Sequence, residues 1–96
     1  MSNGLMNSVK IENMSSPRSG QKVASQFIIH AFGRRYFQSY STVIAAIGTD
    51  GQVELDRNNW DYSATTGKYR NLFLGENKAE TLRKIKSGEY ILTNLN

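Results

Sequence analysis

The sequence predicts an α+β domain: a small antiparallel β-meander sheet packed by two short helices, in the order (β)βββ-α-α-β. Three observations carry this reading. Before Asp56, apolar residues recur at period two between Gly-containing turns, the pattern of half-buried strands. After Asp56 they recur at spacings of three and four, the pattern of a helix resting on one face. The chain has 96 residues and no cysteine, so one core has to hold it without disulfide staples.

The elements follow in order. "VKIE" (Val9–Glu12) alternates apolar and charged residues and predicts a short edge strand. "NMSSPRSGQK" (Asn13–Lys22) holds the only proline among Ser, Gly and Asn and reads as loop. Residues 1–22 are therefore expected to be a flexible N-terminal segment that includes this short edge strand, and 23–96 the single α+β domain. "VASQFIIHA" (Val23–Ala31) puts Val23, Phe27, Ile29 and Ala31 on one strand face, with Gln26, Ile28 and His30 on the other. "FGRR" reads as a tight turn into a long second strand, Tyr36–Gly48. The polar centre of that strand, Gln38 to Thr42, predicts a bulge or break near Tyr40–Ser41. "GTDG" (Gly48–Gly51) is a second turn, and "QVELD" (Gln52–Asp56) a strand with Val53 and Leu55 inward.

Helices are predicted over residues 64–74 and 78–87. Tyr69, Leu72 and Phe73 form the stripe of the first, Ser63 can cap its start, and Gly75 can close it. Gly67 weakens its first turn by about 1 kcal/mol relative to Ala. Asn77 with Glu80 approximates a capping box for the second helix. Ala79, Leu82 and Ile85 line that helix, basic residues gather in its last turn, and Gly88 stops it. "EYILTNLN" closes the chain as a strand, with Tyr90 and Leu92 on one face.

Composition narrows the function classes. The net charge of +4 lies in residues 1–48, where Lys10, Arg18, Lys22, Arg34 and Arg35 face Glu12 alone. The second half carries seven basic and seven acidic side chains. A basic excess favours anionic partners electrostatically. The lone His30 and the scattered carboxylates offer neither a metal site nor a nucleophile with its base, so neither enzyme activity nor a cofactor is expected. "TTGKY" lacks the upstream Gly and the following Ser/Thr of a nucleotide-binding loop. The first sixteen residues lack the pattern of a secretory signal, and no apolar run approaches the ~20 residues that span a bilayer, so a cytoplasmic protein without membrane contact is expected.

"FQSYSTVIAAI", "VELD", "WDYSATTGKYRNLFLGE" and "KIKSGEYILTNLN" together resemble a family of small phage- and mobile-element-encoded proteins catalogued as a domain of unknown function. The resemblance spans about residues 23–96, and the aromatic, Thr and Gly residues around Trp60–Gly75 are its most specific part. It implies a phage or mobile-element setting in the host cytoplasm and brings no established active site.

The candidate nucleic-acid-binding residues form three groups. Arg34 and Arg35 at the turn, beside Tyr36 and Tyr40, can reach phosphates while the rings stack on bases. Lys68 and Arg70, with Tyr62, offer a second aromatic-basic surface. Arg18 and Lys22 in the Ser/Gly loop form a third group. The alternative reading of Trp60–Gly75 is a hydrophobic anchor, with Trp60, Tyr69, Leu72 and Phe73 docking the first helix on the sheet. Two functions suit such a chain: direct binding of nucleic acid, with single strands favoured, or protein-mediated inhibition of a host nucleoprotein complex of defence or replication, for example as an anti-CRISPR. Its basic character disfavours DNA mimicry.

Overall fold

The computed structural model describes residues 9–96. Six strands form one sheet in sequence order: β1 (Val9–Ser15), β2 (Lys22–Ala31), β3 (Arg34–Ser39), β4 (Thr42–Ile47), β5 (Val53–Asp56) and β6 (Ile91–Thr93). The first five run antiparallel, and β6 lies parallel to β5 after two helices, α1 (Ala64–Leu74) and α2 (Lys78–Ser87). The α+β class and both helix ranges agree with the sequence reading.

Three strand-level expectations are corrected. First, the long strand expected over Tyr36–Gly48 is a hairpin, because Tyr40 takes a left-handed conformation (φ 57°) and the chain reverses between Ser39 and Thr42. The anticipated break is a complete turn. Second, the edge strand expected at Val9–Glu12 is present but runs on through Asn13–Ser15, which the sequence reads as loop, and Met14 reaches the core. Residues 1–8 of the segment expected to be flexible lie outside the described residues. Third, the faces of β2 change phase partway along. Ser25 is left-handed (φ 65°), so Val23 and then Gln26 and Ile28 all point toward the helices. Asn13 stitches this irregularity, its Nδ2 donating to Val23 O (2.7 Å) and Gln26 O (3.2 Å).

The core lies between the sheet and α1. Phe37, Ala45 and Leu55 are fully buried, and Phe73 of α1 stacks on Phe37 with ring centroids 5.9 Å apart. The Ser39 and Thr66 hydroxyls meet at 2.9 Å, so α1 is fixed to β3 at both ends. Ser63 caps α1 by accepting from Thr66 N–H, and Gly75 closes it with φ 72°. Two helix faces differ from expectation. Leu72 is 45% exposed while Leu74 packs inward, and in α2 the buried position is Thr81, with Ala79 and Leu82 exposed. Buried polar residues, Thr66 and Thr81, also seat these helices, which apolar periodicity does not register.

Two buried carboxylates join the elements. Asp56, at the end of β5, accepts from Leu95 N–H (2.8 Å) and Asn59 Nδ2 (2.7 Å), tying the C-terminus to the loop before α1. Glu76, between the helices, accepts from Thr81 Oγ1 (2.6 Å), Tyr90 Oη (2.7 Å) and Lys84 Nζ (2.8 Å). Burial alone would raise the Glu76 carboxyl pKa, but these donors outweigh it and hold the group below its ordinary value. A carboxyl with a depressed folded pKa contributes stability that is complete above its unfolded pKa and lost as pH falls through the folded one.

Acid titration should therefore destabilise the wild type more steeply than Glu76→Gln below about pH 4.5, read by denaturant midpoints along a pH series. Phe37→Ala should cost about 3–5 kcal/mol in the same assay at neutral pH, by opening a cavity beneath Phe73. Gln26 behaves oppositely. Its buried side-chain amide makes no hydrogen bond to protein, so Gln26→Met should leave the midpoint unchanged or raise it.

Candidate nucleic-acid interface

The β2–β3 turn consists of two residues, Phe32 (φ 55°) and Gly33 (φ 75°), both left-handed as a type I′ hairpin requires. Arg34 and Arg35 consequently belong to β3 and project to opposite faces instead of sharing the tip. Arg34 lies on the face away from the helices. It donates to Glu54 across the sheet and sits 5.4 Å from the Tyr36 ring centroid. The Glu54 bond raises its pKa further and commits the group. Arg35, on the helix side, is exposed, 5.7 Å from the Phe73 ring centroid and without an acidic partner among the described residues.

Arg70 is also corrected. Helical spacing puts it with Thr66, Tyr69 and Phe73 on the inward side of α1, where it is 1% exposed. Its guanidinium donates to Trp60 O (2.9 Å), Asp61 Oδ1 (3.1 Å) and Asn71 Oδ1 (2.9 Å) and stacks on the Trp60 ring at 5.1 Å. Arg70 is a clamp on the loop before α1 and cannot contact phosphate. Trp60 is half-buried beneath it. Asp61 also takes Lys78 Nζ at 2.6 Å, and the two cations outweigh burial to hold its pKa below the ordinary value. Lys68 stays exposed on the outer side of α1.

A different grouping appears at the opposite end of β3. Tyr40 is 52% exposed at the β3–β4 turn, and Tyr62 is 68% exposed just ahead of the α1 cap. Together with Ser39, Ser41, Thr42 and Ser63 they line an open cleft of about 360 Å³. The geometry is built from backbone constraints. The left-handed Tyr40 turns its ring outward, while its N–H is held by Ser25 O at 2.7 Å. The Ser39–Thr66 bond brings the start of α1 over this turn. The first turn of α1 has no acidic residue of its own, and the positive end of the helix dipole lies beside the cleft.

The β1–β2 turn, with Arg18 and Lys22 both exposed, projects from this same end of the sheet, since β2 begins there and runs toward the Arg34 end. The predicted residues thus separate. Arg18, Lys22 and Tyr40 share one end, joined by Tyr62, while Arg34, Arg35 and Tyr36 lie toward the other. Sequence paired Tyr62 with Lys68 and Arg70, whereas the hairpin at Tyr40 pairs it with a tyrosine 22 positions away.

A family of unknown function, DUF8033, matches residues 9–89. The chain belongs to this family. The DUF8033 match begins at β1 and ends after α2, so it takes in the edge strand along with the segments around Trp60–Gly75. No curated protein and no solved structure matches the chain. Among the described residues no helix is long and apolar enough to cross a membrane, which leaves strand-based crossing unaddressed.

Arg70→Lys keeps the charge and loses the planar fork. It should lower folding stability by about 2–3 kcal/mol, because the single nitrogen of a lysine cannot span acceptors that two guanidinium nitrogens reach, nor stack flat on the Trp60 ring. Denaturant unfolding of the purified variant checks this.

Proposed function

We propose that this chain is a non-enzymatic accessory protein of a phage or mobile element that binds single-stranded nucleic acid at the Tyr40–Tyr62 cleft. The observation that carries the reading is the pairing of two exposed tyrosines across one hydroxyl-lined cleft beside a helix N-terminus. Single-strand binders combine aromatic platforms for bases with positive charge that follows the backbone. Tyr40 and Tyr62 supply the platforms. Arg18 and Lys22 supply exposed cations at the same end, and Ser41 and Thr42 supply hydroxyl donors. Stacking of this kind tolerates any base, so little sequence preference is expected. The carboxylates engaged by several donors, Asp56, Asp61 and Glu76, are bound into structural contacts, which supports a binding role over a catalytic one.

A second reading, inhibition of a host defence or replication complex through protein contact, is favoured by the sheet face opposite the helices. Val9, Ile11 and Ile91 are exposed on that face. The cleft reading is preferred because stacking groups and a helix terminus meet there, with exposed cations at the same end of the sheet.

The test is a binding titration with short single-stranded and duplex DNA and RNA over a range of salt concentrations. Single strands should bind more tightly, with a log–log salt slope of about 0.7 per phosphate contact. Tyr40→Ala and Tyr62→Ala should each weaken binding by about 1–3 kcal/mol. Arg18→Ala with Lys22→Ala should flatten the salt slope while the tyrosine variants leave it nearly unchanged. Equal affinity for duplex, or no loss in either tyrosine variant, contradicts the proposal.

A further inference from the structure

The two edges of the sheet are guarded unequally. At one, β6 has only three residues, too few to template a long pairing with another chain. At the other, β1 is a seven-residue strand that pairs only with β2, and no other described strand lies along its outer side. An edge strand presents unpaired backbone donors and acceptors and is ordinarily blunted by proline, charged side chains, a bulge or a covering segment. Between Val9 and Asn13 there is no proline, the register shift comes only after Asn13, and the two charges, Lys10 and Glu12, are opposite in sign and can complement a second copy.

The order of those residues is self-complementary. β1 reads Val9-Lys10-Ile11-Glu12-Asn13, with opposite charges placed symmetrically about an isoleucine. When two such strands meet antiparallel about Ile11, Lys10 of each copy stands opposite Glu12 of the other, and Ile11 faces Ile11. Val9 then stands opposite Asn13. The pairing with β2 sets which side each group occupies. Lys10 and Glu12 lie opposite His30 and Ile28, on the helix side, while Val9 and Ile11 lie on the open side. Both ion pairs therefore form on one face of the joined sheet, and the isoleucine contact forms on the other. The groups are available. Lys10 has no acidic partner among the described residues, Glu12 is half-exposed beside His30 (3.3 Å), and Ile11 is 63% exposed.

We propose that β1 is a self-association edge at which a second copy of this chain pairs antiparallel about Ile11, giving a two-fold dimer with one continuous sheet. Directly opposed charge pairs and β-branched pairs both stabilise antiparallel strands, and the two-fold doubles every contact. The interface is small, so the expected dissociation constant is on the order of micromolar or weaker.

Charge reversal with rescue tests this in the full chain. Sedimentation equilibrium over a range of protein concentrations should show reversible dimerisation of the wild type. Lys10→Glu and Glu12→Lys, each of which opposes like charges twice, should weaken the dimer by about tenfold or more. The double variant, with both charges exchanged, restores the complementarity and should recover the wild-type constant. Circular dichroism should match for all four proteins, since both side chains are exposed in the monomer. A monomeric wild type at the highest soluble concentration overturns the proposal. So does a dimer indifferent to the single reversals, or a double variant no better than the singles.

Discussion

The seating of α1 on β3 is the contact on which the rest of the molecule depends. Phe73 stacks on Phe37 at one end of the helix and Thr66 meets Ser39 at the other, so α1 is held to the strand at two separate points. From that seat the loop before the helix is drawn in, Arg70 clamps Trp60 and Asp61, and Tyr62 is delivered to the mouth of the β3–β4 turn. The same seat fixes where α2 begins, since Asp61 also holds Lys78. The aromatic run "WDYSATTGKYRNLFLGE" therefore divides by position. Tyr69 and Phe73 anchor, Trp60 and Arg70 clamp, and Tyr62 with Lys68 faces outward.

The electrostatics follow the same division. The acidic groups near α1 and α2 are engaged internally, with Asp61 holding Arg70 and Lys78, and Glu76 holding Lys84. Glu54 takes up Arg34 on the opposite face. Arg18, Lys22, Arg35 and Lys68 are left without acidic partners among the described residues. The positive excess that composition places in the first half is therefore expressed at exposed positions, two of them at the end of the sheet that carries Tyr40. A long-range attraction for anions is the physical consequence, and the helix terminus adds a local one.

Much of the fold was legible because its punctuation is local. Ser63, Gly75, the Asn77–Glu80 box and Gly88 mark both helices through hydrogen bonds that span three or four residues, and these need no tertiary context. The sheet was less legible where a non-glycine residue adopts a left-handed conformation. Ser25 shifts the faces of β2, and Tyr40 turns an expected bulge into a hairpin, and neither residue type announces it. The site was legible only in part for a related reason. Tyr40 and Arg18 could be chosen by chemistry, but Arg34 and Arg35 diverge because the turn ends at Gly33, and Arg70 is buried because it shares the inward face of α1 with Thr66, Tyr69 and Phe73. Pairing Tyr40 with Tyr62 depends on the Ser39–Thr66 contact, 27 positions apart in the chain.

The central claim is that the cleft between Tyr40 and Tyr62 receives a single strand, and backbone amide shift mapping by NMR addresses it most directly. Isotope-labelled protein titrated with a short single-stranded oligonucleotide should show its largest shifts at Tyr40, Ser41 and Tyr62 through Thr65, with smaller ones at the Arg18–Lys22 turn. Shifts centred on Arg34 and Arg35, or on the open face around Val9, Ile11 and Ile91, would contradict the account, as would a spectrum that the oligonucleotide leaves unchanged.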